Sequence, residues 1–128
     1  MSMFLTIILV FCGGGIGASL RYLLGLIPTF HSFPLITLLI NIFGSFIIGI
    51  IAGISEEKGL SNNLISFIKV GVLGGFTTFS SFSLDTITLF KKSDKLGTIL
   101  YLGLSITLSL IACYLGELLV KLVIKKMA

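Results

Sequence analysis

Residues 64–90 read LISFIKVGVLGGFTTFSSFSLDTITLF. The run has the length of a membrane-crossing helix, about 20 residues, yet its centre is wrong for a plain one. GGFTTFSSFSLD (74–85) opens with two glycines, places Phe76, Phe79 and Phe82 three apart, and fills the gaps with five hydroxyls: Thr77, Thr78, Ser80, Ser81 and Ser83. Gly71, Gly74 and Gly75 each weaken a helix by about 1 kcal/mol relative to alanine, which predicts a break at this level. Non-helical backbone survives at membrane depth only where it is buried in protein or lines a cavity. The carbonyls freed by such a break form a natural cation site.

Working outward, the rest of the chain is as apolar as this span. Of its 128 residues, 55% are hydrophobic and 11% charged, against roughly 25% charged in an ordinary soluble domain. Such a composition excludes a water-soluble surface. Three more apolar runs, at 4–20, 35–54 and 97–116, are each near spanning length. The chain therefore reads as one all-α membrane domain, residues 1–128, with four transmembrane helices, the third broken near its middle. No Lys or Arg precedes Arg21, so the first run is expected to be a retained helix and not a cleaved signal. Short connections at 27–34, 55–63 and 91–95 predict antiparallel neighbours. Cys12 and Cys113 fall mid-span in different helices and read as packing residues.

Four spans put both termini on one side of the membrane. That side carries Lys58, Lys69, Lys121, Lys125 and Lys126; the other carries Arg21, Lys91, Lys92 and Lys95, five against four. The excess of positive charge that normally orients a membrane protein is missing, so insertion both ways round is open. A small bundle leaves little room for an aqueous path inside one subunit, which points to a homodimer with the path at an interface. If insertion is two-way the dimer is antiparallel, and any path occurs twice by symmetry. The net charge of +4 suits lysines that snorkel to headgroups; nothing in it resembles a nucleic-acid surface.

Polar residues inside the spans need a partner or a purpose, because each unpaired group costs several kcal/mol in lipid. In GGGIGASLRY (13–22), Gly13, Gly15 and Ala18 imitate a dinucleotide fingerprint, but that motif requires a soluble parallel sheet and a nearby acid. The first carboxylate is Glu56, so these small residues read as close helix contacts. Arg21 is either an interfacial anchor that complements its helix dipole or part of an electropositive vestibule that gathers anions. Asn41 serves either as interhelical glue or as a donor to a passing anion, with Thr37 one turn earlier on the same face. Tyr101, Ser105 and Ser109 recur every four residues along one face. Such hydroxyls can bond back to their own helix or form a polar ladder. Glu117 and Lys121, at i and i+4 near the tail, read as an interfacial ion pair. Phe79 and Phe82 are either core or lipid-facing rings, or present positive edges beside hydroxyl donors so as to replace an anion's hydration. Asp85 reads as a helix-end or headgroup-level carboxylate.

Taken together these segments resemble the CrcB/Fluc family of fluoride channels. GGFTTFSSF followed by Ser83-Leu84-Asp85 resembles the family's GGFTTFS(T)F and S-x-E; GGGIGASLRY and NIFGSFIIG (41–49) resemble its first- and second-helix patterns. The resemblance implies an antiparallel, dual-topology homodimer with two fluoride pores and a sodium ion buried on the two-fold axis. Sodium would be held by the main-chain carbonyls of Gly74 and Thr77 of each chain. The pore phenylalanines would be Phe79 and Phe82, the pore asparagine Asn41, the fourth-helix polar track Tyr101, Ser105 and Ser109, with Arg21 at the vestibule. Ser81 stands where Thr is usual, and Asp85 where Glu is, one methylene shorter. A bacterial or archaeal plasma membrane is the implied location.

The expected activity is passive export of fluoride, which enters cells as neutral HF and is trapped as the anion in a more alkaline cytoplasm. No ATP-binding loop or nucleophile pattern marks an enzyme. The alternative is a small four-span proton-coupled exporter of organic cations. That mechanism requires a membrane-embedded carboxylate, which the first two spans lack.

Overall fold

Residues 2–127 are described by a computed structural model, and all regular structure among them is helical. Helices α1 (Met3–Gly25) and α2 (Leu35–Lys58) are the first two spans. The third consists of α3 (62–76) and α4 (Phe79–Lys91), and α5 (Lys95–Met127) is the fourth. All four spans are long and apolar enough to cross a bilayer. The helices overrun the expected apolar runs at several ends. Ser55–Lys58, expected in a loop, continue α2, which stops at Gly59, whose φ of +71° is a geometry that glycine adopts without steric cost.

The subunit is built from two tight pairs, α1 on α3 and α2 on α5, with α4 also against α5. Glycines set both seams. Gly49 of α2 faces the Cys113 backbone, and Gly116 of α5 faces the backbone of Phe46 and Ile50. Across the other seam, Gly13 and Gly17 of α1 face Phe67, Gly71 and Val72 of α3. A Cβ at any of these positions would overlap the neighbouring backbone, so small residues let the helices approach as they do in lipid generally.

The same contacts move the break. Gly71 lies against Gly13, and Gly75 against Gly14 and Ala18, both inside helical backbone. Packing on α1 overrides their weak helix propensity, so the glycines close a seam and do not themselves interrupt the helix. Residues Ser66–Leu73 wind as a π-helix, a wider form found mostly in short functional stretches. The interruption falls at Thr77 and Thr78, whose backbones are extended (ψ 155°; φ −152°, ψ 115°). Around it sits a small core of Leu38, Phe82, Leu89 and Tyr101. Elsewhere large apolar side chains face outward, Phe11 and Phe79 among them, as expected of a surface bathed in lipid or covered by another chain.

Candidate functional site

The break is made by side chains that take the place of helical partners. The Thr77 N–H still reaches the Leu73 carbonyl at 3.0 Å, and its hydroxyl donates to the same oxygen at 2.8 Å. The Thr78 N–H then turns aside to Asn41 Oδ1 at 2.8 Å, while Asn41 Nδ2 donates to the Thr78 carbonyl at 3.1 Å. The amide of Asn41 thus pairs with Thr78 as a neighbouring peptide would. Thr78 Oγ1 caps α4, accepting from the Ser81 N–H at 3.0 Å, and sits 3.2 and 3.1 Å from the Ser80 and Ser81 hydroxyls. From α1, Arg21 Nε donates to the Gly75 carbonyl at 3.1 Å.

The interruption takes the i+4 donors from the four carbonyls of residues 74–77, of which Gly75 regains one from Arg21. In an unbroken helix the Thr78 N–H would bond to Gly74 and the Ser81 N–H to Thr77, at the i→i−4 spacing. Both donors are diverted, one to Asn41 and one to Thr78 Oγ1. The oxygens of Gly74 and Thr77 are therefore among those stripped of their helical donors. Gly74 is exposed on the outside of the subunit, and a Cβ there would meet only the Lys69 carbonyl at 3.9 Å.

Beside the break lies a cavity of about 370 Å³ that brings together Asn41, Phe79, Phe82, Ser105 and Ser109 from three helices. Ser45, Thr77 and Thr78 share its wall. Ser45 was not singled out from sequence, although its i+4 spacing from Asn41 continues the Thr37–Asn41 stripe. Tyr101 stands apart. It is fully buried beside Phe82, with ring centroids 5.4 Å apart, and its hydroxyl donates to Asp85 Oδ2 at 3.2 Å. The hydroxyl ladder therefore divides: its first rung meets a carboxylate, and its next two face the cavity. Ser105 is 6% exposed, and its Oγ has no hydrogen-bond partner among the described residues. Phe82 is 8% exposed and Phe79 78%, their centroids 5.3 Å apart, so the pair runs from the core to the outer face.

Arg21 lines a second cavity of about 530 Å³ with Thr37, Thr78, Ser81 and Asp85. Thr78 borders both cavities. Because α1 continues to Gly25, Arg21 is a turn short of its own helix end, and the C-terminal end it complements is that of α3. Asp85 is midway along α4, not at a helix end. Glu117 pairs with Lys121 as expected, and Glu56 joins them at 3.3 Å.

Fold and site together define a small multi-pass membrane protein built around an intramembrane polar site. The chain belongs to the CrcB family: the family model described as CrcB-like protein, Camphor Resistance (CrcB) matches residues 8–117. A Ruegeria sp. (strain TM1040) protein named fluoride-specific ion channel FluC is 46% identical over 120 residues, covering 89% of this chain and 93% of the relative. A protein of the same name from Shewanella sp. (strain W3-18-1) is 43% identical over 117 residues, covering 89% and 94%. Another, from Roseobacter denitrificans, is 43% identical over 116 residues, covering 87% and 91%. With four apolar helices and such relatives, this is a multi-pass protein of a prokaryotic plasma membrane.

Proposed function

We propose that the protein is a fluoride-selective channel that lets cytoplasmic fluoride leave the cell down its gradient. The observation that carries this reading is the wall of the smaller cavity. It presents amide and hydroxyl donors from Asn41, Ser105 and Ser109 beside the rings of Phe79 and Phe82, and it holds no charged side chain. Donors and positive ring edges compensate an anion for lost water, while the lack of a fixed cation leaves it free to move on, as conduction requires. The unpartnered hydroxyl of Ser105 is available for that purpose. Relatives that align over 89% of the chain are named for the same ion. Tyr101 contributes from behind the wall, by packing on Phe82 and holding Asp85, and Arg21 lends positive potential to the neighbouring vestibule.

In this reading two copies pair antiparallel as a dual-topology homodimer in the lipid, with one pore for each. The near-even lysine balance and the outward-facing Phe79 favour it. A sodium ion on the two-fold axis suits the Gly74 and Thr77 carbonyls, because hard oxygen ligands freed from helical bonding are what alkali cations take. When bound, sodium would supply a positive centre tying the two breaks together. Proton-coupled export of organic cations finds no support: the wall of this cavity holds no carboxylate, and Asp85 in the adjoining one accepts from the Tyr101 hydroxyl and shares its cavity with the Arg21 cation.

Purified protein in liposomes loaded with fluoride or chloride tests the proposal, with an ion-selective electrode reading efflux. Fluoride is expected to leave far faster than from protein-free vesicles and chloride to stay. Equal chloride efflux, or fluoride efflux at the empty-vesicle rate, overturns it.

A further inference from the structure

We infer that Arg21 is a positioning residue for the break, acting through the Gly75 carbonyl and not through its charge alone. Gly13, Gly17 and Arg21 are spaced four apart, so they share one face of α1. At the first two positions the backbones of α1 and α3 are so close that a Cβ would overlap Phe67 or Val72. One turn further, at Arg21, the contact with α3 is made by a side chain, through a hydrogen bond of 3.1 Å from Nε to the Gly75 carbonyl.

Gly75 is well placed to pass on that restraint. It follows Gly74 directly and precedes Thr77 by two residues, and the peptide units between them are rigid planes. Gly75 is itself wedged against the Gly14 carbonyl, so its peptide has little freedom beyond the direction in which its oxygen points. Arg21 from α1 and Asn41 from α2 thus grip opposite sides of the break. The Gly74 and Thr77 carbonyls, which have neither grip, are oriented by both.

Charge by itself works the other way. A guanidinium beside Gly75 repels a cation at the adjacent Gly74 carbonyl, so its useful contribution to that site is the directed Nε–H. Lysine keeps the charge but has no planar donor fork; glutamine removes the charge. This part of the inference rests on the sodium reading proposed above. If only charge mattered, Arg21→Gln would bind sodium as tightly as the native protein or more tightly. If positioning matters, Arg21→Lys and Arg21→Gln both weaken it.

The chain lends itself to a direct test. Gly75–Phe76 is its single Gly-Phe step, Thr77–Thr78 its single Thr-Thr step, and Arg21 its single arginine. Paired carbonyl-13C and amide-15N labelling therefore gives one resonance for each peptide in NMR spectra of the purified full chain. In both variants the Gly75 carbonyl resonance is expected to move upfield, as an oxygen losing its donor does. Sodium titrations against choline, followed at the Thr77 carbonyl, are expected to half-saturate about tenfold higher, the loss of one hydrogen bond to a charged group. An unmoved Gly75 resonance, or a native or lower half-saturation in Arg21→Gln, overturns the inference. A native Thr77 resonance indifferent to sodium sinks the sodium reading alone; positioning then stands if the Gly75 and Thr77 resonances both move in Arg21→Lys and falls if they do not. Should neither variant fold, the native Arg21 Nε–H decides: slow solvent exchange supports the bond to Gly75, and fast exchange refutes it.

Discussion

Replacing Ser105 with alanine is expected to separate the fold from the function. The side chain is 6% exposed, its Oγ has no hydrogen-bond partner, and it lines the cavity beside Asn41 and Phe82. A buried hydroxyl left unpaired costs about 1–3 kcal/mol, so deleting it removes a penalty and creates only a one-atom gap. Thermal unfolding in detergent is expected to show a stability equal to or slightly above that of the native chain. An anion in the cavity meets a different balance, because a hydrogen bond to a charged group contributes about 1.5–3 kcal/mol. With roughly 1.4 kcal/mol per factor of ten, losing that donor lowers fluoride efflux about tenfold or more. Liposome efflux and unfolding are measured on the same preparation. A clear loss of stability would mean that the hydroxyl has a structural partner, and native efflux would mean that the ion never uses it.

The other predictions test the ring, the proposed dimer and the clamp. Phe82→Ile removes a ring 5.3 Å from Phe79 and 5.4 Å from Tyr101; fluoride efflux is expected to stop while size-exclusion chromatography shows an intact dimer, and undiminished efflux shows that the ring edge is not needed. Gly74→Val adds a side chain where the subunit has open space, so the single chain is expected to fold while dimer and sodium dependence fail together. A valine variant that dimerises and conducts with native sodium dependence counts against the axis assignment. Asn41→Leu removes both bonds to Thr78 and leaves its N–H unpaired, a loss of about 2–4 kcal/mol readable by denaturant unfolding. Stability equal to native would show that the clamp contributes nothing.

The four spans were legible because bilayer thickness fixes a length and an apolar run must match it. The placement of the break was not, because glycine propensity is local while the seam with α1 is tertiary. Gly71 and Gly75 stay helical against Gly13 and Gly14, and the ladder ends three residues beyond the last of them, where Asn41 competes for the Thr78 N–H. That competition comes from a helix 37 residues away in sequence, so no window around GGFTTFS contains it. Tyr101, Ser105 and Ser109 posed a related problem. Spacing places them on one stripe, but it cannot tell that the stripe leaves the aromatic core between its first and second rungs. Ser45, one turn beyond Asn41 on the same stripe, carries a signal that spacing alone can supply, and it lines the cavity.

Donor accounting explains how one short stretch serves two ions of opposite sign in the proposed mechanism. Every helical N–H drawn to a side chain leaves a carbonyl without its partner, so the capping of Thr78 and Ser81 creates acceptors at Gly74 and Thr77. Those acceptors suit a cation. Donors remain on the cavity side: Asn41, which draws the Thr78 N–H, keeps a second Nδ2–H after bonding to Thr78, and the neighbouring Ser105 keeps its O–H. Those donors suit an anion. A helix without a break offers neither set, because its N–H and C=O groups consume one another. The threonine pair therefore separates acceptors from donors at membrane depth. The clamps of Arg21 and Asn41 keep the separation from collapsing back into a continuous helix.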